Sequence, residues 1–183
     1  MRVHEILAGT AQPDPSEKEV IKLVQRFYKS DLGRQVPTNA NREHSLIFDV
    51  DGHLLRCKID LWFDNNENKR FLVDYKTDQI NKPQIAQRKL RYDLQLQLYA
   101  CAIEQATGRT PDHAELYFLQ PNEIVEIDIS REKQKNATEI VRGFFEAQSN
   151  LNFPLKEGGQ CLQCPYYQGL CPVKTSIAKN SIT

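Results

Sequence analysis

The order of apolar and polar positions along the chain predicts helices and strands in alternation. Apolar side chains recur at helical spacing up to Tyr28, and Ser16-Glu17-Lys18-Glu19 before them fits a capping box. Asp51-Gly52 is a strong hairpin turn between two strand patterns. In chain order we predict a helix ending near residue 28, a loop over residues 33–41, strands over 45–50, 54–63 and 71–77, a helical region from about 83 to Thr107, strands over 114–119 and 124–129, and a helix capped by Ser130. The apolar stripe of this last helix, from Ile140 to Phe145, is predicted to belong to the core.

The strand over residues 71–77 ends with an acid and a lysine two residues apart. Because successive strand side chains point to opposite faces, Asp74 and Lys76 project from one side, while the apolar residues between them pack on the other. Asp60 of the preceding strand supplies a second acid. We expect these three side chains to share a small volume at one edge of the sheet.

Two carboxylates and a lysine suit a site for a hard cation. Mg²⁺ is commonly held by one or two carboxylates together with waters and substrate phosphates, and Mn²⁺ accepts similar ligands. Such a metal lowers the pKa of a bound water, and Lys76 can orient that water or hold the phosphate. The predicted reaction is phosphodiester hydrolysis. Taken alone, Asp74 and Lys76 also fit an ordinary solvated pair at a strand end.

Two further segments extend this pattern on either side. Gln95 and Tyr99 lie four residues apart and share one helical face, and His4 lies near the start of the chain. The order His, Asp, Asp-Tyr-Lys, Gln-x-x-x-Tyr resembles the RecB-type branch of the PD-(D/E)XK nucleases, the nuclease domains attached to AddAB, RecBCD and related UvrD-like helicases. The resemblance covers roughly residues 1–130. It implies an α/β fold with a central mixed β-sheet flanked by helices, a restriction-endonuclease-like core, here followed by a cysteine-rich loop.

The resemblance also implies roles for individual residues. The metal ligands would be His4, Asp60, Asp74 and the carbonyl of Tyr75. The catalytic group would comprise Asp60 and Asp74 with Lys76 as the catalytic lysine, and Gln95 with Tyr99 would hold DNA or shape the site. Glu43 matches a commonly acidic position whose role the sequence does not fix.

A cysteine cluster near the C-terminus is a second candidate metal site. Cys161, Cys164 and Cys171 place three thiols in eleven residues, a spacing that favours a metal over a disulfide in a cytosolic protein. An iron–sulfur cluster or a structural zinc site normally takes four such ligands. In several RecB-type nucleases a fourth cysteine lies upstream of the histidine helix. The resemblance therefore implies an iron–sulfur cluster in the intact protein, with its fourth cysteine outside this chain, and structural zinc or unliganded thiols are the alternatives.

Composition limits these expectations. The 24 basic and 24 acidic residues cancel, so no overall positive field indicates nucleic acid binding. A basic cluster ahead of the Gln-Tyr helix, which includes Arg88 and Arg91, is a candidate DNA contact or an ordinary solvated helix face. The chain has no run of about 18 apolar residues and no signal-peptide pattern, so we expect a soluble, cytoplasmic protein. We predict one nuclease domain over residues 1–173, truncated on its N-terminal side, and a flexible tail over residues 174–183.

The leading hypothesis is a Mg²⁺-dependent or Mn²⁺-dependent DNA nuclease, an exonuclease acting on single strands. The resemblance implies a helicase motor, in the same polypeptide or in a second protein that pairs with it, and a role in DNA recombination or repair. Two alternatives keep the same fold without catalysis. One is a nucleic-acid-binding module, and the other is a metal-stabilised domain that binds another protein.

Overall fold

The computed structural model describes residues 2–153, 155, 157–167 and 169–171. Among these residues the α-helices are α1 (Arg2–Leu7), α2 (Lys18–Lys29), α3 (Asp31–Gln35), α4 (Ile85–Lys89), α5 (Asp93–Thr107) and α6 (Arg131–Ser149). The strands are β1 (Asn41–Val50), β2 (His53–Asp64), β3 (Arg70–Lys76), β4 (His113–Phe118) and β5 (Glu123–Glu126). Short 3₁₀ helices lie at Lys82–Gln84 and Gly159–Gln163.

The chain divides into two compact units, residues 1–143 and residues 144–183. The first contains the whole sheet, and the described part of the second contains the end of α6 and the later 3₁₀ helix. The predicted tail over residues 174–183 lies outside the described residues. In the part of the chain that the structure describes, no helix combines the length and the apolar character that a membrane crossing requires.

The sheet has the order β1-β2-β3-β4-β5, and all neighbouring strands are antiparallel except β3 and β4, which are parallel. The predicted hairpin joins β1 to β2, because Asp51 and Gly52 both adopt the positive φ angles that tight hairpin turns need. A parallel pair needs a long crossover, and the segment containing α5 supplies it between β3 and β4. The expected mixed sheet flanked by helices is thereby confirmed.

Apolar side chains from the first three helices and from the middle of the sheet form a buried cluster. Phe27 of α2 packs its ring edge against Tyr75 of β3, with ring centroids 5.0 Å apart, and against Tyr117 of β4 at 5.4 Å. On the other side, α5 packs along β1, β2 and β3 and buries Leu96 and Ile103 completely. The core therefore holds β3 between helices on both sides.

The structure corrects the predicted position of the acid and lysine strand. β3 is the central strand and not an edge, because Val73 lies opposite Leu61 of β2 and Asp74 lies opposite Leu116 of β4. The sequence pattern does not show which strands pair with β3, because the pairing with β4 depends on a crossover of more than thirty residues. Asp74 therefore lies in the interior of the sheet.

The helical predictions need three further corrections. Glu17 occupies the cap position of α2, but its side chain does not cap the helix backbone. The expected capping box does not form, since the Ser16 hydroxyl instead donates to Asp14. The predicted loop over residues 33–41 begins inside α3. The helical region from residue 83 is interrupted between α4 and α5, where the Tyr92 ring lies against Lys76 at the end of β3.

The apolar stripe of α6 is only partly core. Its buried residues are Gln134, Ala137 and Val141, which share one face. Ile140 and Phe144 have exposed fractions of 58% and 57%, so the prediction that the stripe is buried is wrong for these two residues. A helical stripe in the sequence does not show which of its positions another element covers. The residues of α6 after Val141 are all at least partly exposed.

Candidate active site

A group of three possible metal ligands lies where α1, β1 and β2 meet. His4, Glu43 and Asp60 each offer one ligand atom, and these atoms all lie within 4.8 Å of one another. The Nδ1 atom of His4 is 3.3 Å from Oδ2 of Asp60. The three residues, together with Lys58, line an open cavity of about 390 Å³. A nitrogen and two carboxylates around such a cavity can bind a divalent cation.

The backbone of β1 bends at Glu43. β1 pairs with β2 on both sides of it, Arg42 with Leu61 and His44 with Ile59. Between these pairs Glu43 has a φ of 49°, which non-glycine residues seldom adopt. Its carboxylate forms a salt bridge with the Lys58 ammonium of β2. The family resemblance left the role of Glu43 open, and the bend that brings it to His4 and Asp60 gives no signal in residue pattern.

Asp60 connects this group to the central strand. The backbone N–H of Tyr75 donates a hydrogen bond of 2.8 Å to Oδ2 of Asp60. The Tyr75 ring is buried, and its centroid lies 5.9 Å from that of the His4 ring. The side chain of Asp60 therefore has a fixed position against β3.

Asp74 and Lys76 form a close ion pair on the same face of β3, as the strand pattern predicts. The Lys76 Nζ atom is 2.5 Å from Oδ2 of Asp74, and Asp74 is only 3% exposed. Among the described residues, Oδ2 has no hydrogen bond of acceptable angle. Burial raises the pKa of Asp74 to about 6, the charge of Asp60 adds to this rise, and the Lys76 ammonium opposes it.

Gln95 and Tyr99 of α5 complete a hydrogen-bonded network over this pair. The Gln95 Oε1 atom accepts from Lys76 Nζ at 3.1 Å, and Gln95 Nε2 donates to Asp74 Oδ1 at 3.3 Å and to the Tyr99 hydroxyl at 2.7 Å. Burial raises the pKa of Tyr99, so the phenol stays protonated at neutral pH. One amide side chain thus fixes both members of the ion pair.

Tyr92 is a part of the site that the sequence analysis did not identify. Its ring lies against Lys76, with the Nζ atom 3.9 Å from the ring centroid. The Tyr92 hydroxyl donates to Asp78 at 3.1 Å, and Asp78 forms a salt bridge of 3.2 Å with Arg88. The sequence feature that could have identified Tyr92 is its interval of three residues from Gln95, which places both side chains on one side of a helix.

The structure brings the sequence-predicted site residues of the nuclease pattern into two adjoining groups. His4 and Asp60 lie in the open group, where Glu43 joins them. The other predicted side chains, Asp74, Lys76, Gln95 and Tyr99, are linked by direct contacts, and the amide of Tyr75 joins the two groups through Asp60.

The cysteine loop lies in the second unit. Cys161 and Cys171 are partly exposed and Cys164 is exposed, and none forms a disulfide. Backbone turns connect the loop, with Cys164 N–H donating to the Cys161 carbonyl at 3.1 Å. Within the described residues the three thiols do not form a group within 4.8 Å of one another.

Comparison with known proteins gives a consistent family match. The family description PD-(D/E)XK nuclease superfamily matches residues 3–172 of this chain. A protein from Clostridioides difficile (strain 630), named as one of the subunits of an ATP-dependent helicase/nuclease, is 35% identical over 85 residues, which cover 46% of this chain and 7% of that protein. A protein of the same name from Streptococcus suis (strain 98HAH33) is 33% identical over 126 residues, covering 62% of this chain and 10% of its own length. The chain thus spans a tenth or less of these two relatives.

Solved structures support the fold. A structure from Eubacterium rectale with a provisional exonuclease assignment aligns over 98% of this chain and 77% of its own, with a TM-score of 0.59 and 15% identity. At this identity the likeness concerns the fold alone, and it agrees with the restriction-endonuclease-like core expected from the sequence.

Proposed function

Because this chain belongs to the PD-(D/E)XK nuclease superfamily, we propose that it is a deoxyribonuclease domain that needs Mg²⁺ or Mn²⁺ and hydrolyses phosphodiester bonds. The observation that carries this proposal is the meeting of two groups: an open His–Glu–Asp cluster and a buried Asp74–Lys76 pair, connected through Asp60 and the backbone of Tyr75. An ordinary surface ion pair would be solvated on most sides. This pair is buried beside a second carboxylate, that of Asp60. Burying two negative charges close together costs free energy unless a functional ligand compensates for it.

The residues present fit a hard divalent cation. We propose His4, Glu43, Asp60 and Asp74 as side-chain ligands, and the Tyr75 carbonyl as a further one. One nitrogen and two carboxylates whose ligand atoms lie within 4.8 Å of one another, in His4, Glu43 and Asp60, are a donor set that such a cation accepts. When bound, Mg²⁺ or Mn²⁺ supplies a water of lowered pKa and stabilises the charge that develops on the phosphate.

Lys76 is the proposed catalytic lysine. Its ammonium is held by Asp74, by Gln95 and by the ring of Tyr92, so three contacts limit its freedom. An ammonium fixed in a mostly buried site can orient the attacking water or stabilise the negative charge on the phosphate without reorganising during the reaction. Gln95 and Tyr99 position this group and contact the DNA next to it.

The biological setting is inferred from the relatives named as helicase/nuclease subunits. We propose that the domain acts with a helicase motor, in the same polypeptide or in a second protein that pairs with it, during DNA recombination or repair. A motor that unwinds DNA supplies single strands, and we therefore propose single-stranded DNA as the substrate and exonucleolytic cleavage as the mode.

The cleavage proposal is tested with labelled single-stranded DNA and either metal ion. We expect the wild-type chain to cleave, and Asp74→Ala and Lys76→Ala to lose activity by at least about a hundredfold, the scale of one lost charge-stabilising group. Asp31→Ala and Lys69→Ala are matched controls, because both residues are exposed and lie outside the site, and they should retain wild-type rates. Cleavage that survives both substitutions at the site would refute the assignment. DNA binding without cleavage would instead favour a non-catalytic binding module.

The metal proposal is tested without any measurement of activity. Titration with Mn²⁺, followed by electron paramagnetic resonance, should show one strong site in the wild-type chain. Glu43→Gln and Asp60→Asn should each weaken its affinity at least about tenfold, whereas Glu139→Gln on the exposed side of α6 should not change it. Equal Mn²⁺ affinity in all four proteins would remove the open cluster from the proposed metal site.

Thiolate ligands suit iron–sulfur clusters or zinc, so we also propose that Cys161, Cys164 and Cys171 ligate a metal centre. Elemental analysis and a visible absorption spectrum distinguish the candidates. Iron together with broad visible absorption is expected for a cluster. Zinc without colour supports the alternative, and a protein that binds neither refutes the proposed centre.

A further inference from the structure

An apolar groove opens beside the candidate active site, between the β1–β2 hairpin and α5. Its volume is about 420 Å³, within the range of about 300–1,000 Å³ that is usual for small-ligand sites. The hairpin and α5 contribute its apolar walls: Phe48, Leu55, Leu94 and Leu98. We call this feature the apolar groove. It offers surfaces on which a flat, poorly hydrated group can pack.

The charged residues that line the apolar groove are all basic. Arg56, Lys58 and Arg91 line it, and no acidic residue does so within the part of the chain that the structure describes. Arg56 and Arg91 are exposed and form no salt bridge with any described residue. Because the net charge of the chain is zero, this local excess is a specific feature. A ligand that matches the groove has an apolar part and a negative charge.

The apolar groove shares two side chains with the active site. Gln95 and Tyr99 line it and also belong to the network that holds Asp74 and Lys76. A group that enters the groove is therefore separated from the Asp74 carboxylate by a single amide side chain, since Gln95 Nε2 is 3.3 Å from Asp74 Oδ1. A group in the groove therefore lies next to the residues that hold Asp74 and Lys76.

We propose that the apolar groove binds an unpaired nucleobase of the DNA strand next to the scissile phosphate. This inference rests on the proposed nuclease function and deepens it, because it assigns a physical cause to a preference for single strands. A base packs its face on the apolar walls, while Arg56 and Arg91 contact neighbouring phosphates. A base inside a duplex is stacked and paired, so it cannot enter without the cost of unstacking.

The proposal is tested by DNA binding in the presence of EDTA, so that no cleavage occurs and the result does not depend on catalysis. The probes are a fluorescein-labelled single-stranded oligonucleotide, the same strand in a duplex, and the same strand with abasic sites, measured by anisotropy. We expect the single strand to bind at least about tenfold more tightly than the duplex and at least about fivefold more tightly than the abasic strand, the scale of one stacked base. These comparisons use the wild-type chain and need no variant to fold.

Variants locate the binding to the apolar groove. Leu98→Glu should weaken single-strand binding at least about tenfold, while Leu54→Glu, a matched change at an exposed position that does not line the groove, should not. Arg91→Ala should reduce the slope of log K against log salt by about 0.7, the value for one phosphate contact on a single strand. If Leu98→Glu does not fold by circular dichroism, Leu98→Ala replaces it, with at least about a threefold loss expected from the smaller packing surface.

Three results would overturn the inference: equal affinity for the duplex, equal affinity for the abasic strand, or single-strand binding unaffected by substitutions at Leu98. If cleavage still requires Asp74 and Lys76 while any of these is observed, the nuclease proposal stands and the base-binding role of the groove fails. An absence of DNA binding in EDTA would also count against the groove. A wild-type chain that binds single strands as expected but shows no metal-dependent cleavage would instead contradict the proposed function.

Discussion

Replacing Tyr92 by leucine removes an aromatic ring from the Lys76 ammonium. The Nζ atom lies 3.9 Å from the ring centroid, and the Lys76 side chain is only 13% exposed. Cation–π contacts contribute about 0.5–1 kcal/mol at exposed sites and about 2 kcal/mol when desolvated. For this mostly buried ammonium we take about 1–2 kcal/mol, which corresponds to a rate reduction of roughly 5-fold to 30-fold.

The assay is single-turnover cleavage of saturating single-stranded DNA, because it reports the chemical step. If the ring positions the ammonium, Tyr92→Leu lowers the maximal rate by the stated factor and leaves the concentration of DNA for half-maximal rate nearly unchanged. Tyr92→Phe keeps the ring and loses only the hydrogen bond to Asp78, so its rate should stay within about threefold of wild type. Thermal denaturation of both variants excludes a general loss of folding.

A matched control is Tyr28→Leu, which changes an exposed tyrosine of α2 away from Lys76. It should leave the cleavage rate unchanged. Equal rates for Tyr92→Leu and the wild type would refute the positioning role of the ring. Equal losses in Tyr92→Leu and Tyr92→Phe would assign the effect to the Asp78 hydrogen bond instead.

Three further predictions concern stability and metal binding. Gly33→Ala should lower the free energy of unfolding by about 1–3 kcal/mol in urea titrations, because an added Cβ would lie 2.0 Å from the Phe27 carbonyl oxygen. Gly143 in α6 has open space around it, so Gly143→Ala should raise the free energy of unfolding by up to about 1 kcal/mol. A loss of stability in Gly143→Ala as large as that in Gly33→Ala would contradict the steric reason. Burial raises the pKa of Glu115 in the folded chain above its ordinary value of 4.5, so the wild type loses stability as pH rises from 4.5 through the folded pKa. Glu115→Gln should therefore be more stable than the wild type at about pH 7, and this difference in stability should vanish below pH 4.5. A difference in stability that does not change with pH would refute the role of the Glu115 carboxyl. Addition of Mg²⁺ should raise the melting temperature of the wild-type chain and not that of Asp60→Asn, and equal shifts in both would place the bound ion elsewhere.

Local patterns in the sequence predicted those parts of the site that depend on neighbours along the chain. Alternation along a strand put Asp74 and Lys76 on one face, and their 2.5 Å ion pair confirms it. An interval of four residues put Gln95 and Tyr99 on one side of a helix, and their 2.7 Å hydrogen bond confirms this as well. Both relations follow from the geometry of a single element, so no tertiary information was needed.

The boundaries of elements were less predictable because they depend on competing contacts. The pattern predicted one helical region from residue 83 to Thr107, but the chain turns between α4 and α5, where Tyr92 contacts Lys76 and Asp78. The stripe of α6 likewise predicted burial of Ile140 and Phe144, which are mostly exposed. Neither the contact of Tyr92 with Lys76 nor the solvent exposure of Ile140 and Phe144 leaves a periodic signal in the sequence.

The sequence by itself determined the nuclease motif, the hairpin and the face that Asp74 and Lys76 share, because strand alternation and turn chemistry are local. Only the tertiary structure decided that β3 is the central strand, that the bend at Glu43 brings a third possible ligand to His4 and Asp60, and that α5 adds an apolar groove to the site. These features arise from packing between elements that lie far apart along the chain. Their free energy comes from burial and charge pairing in three dimensions, which residue order alone does not specify.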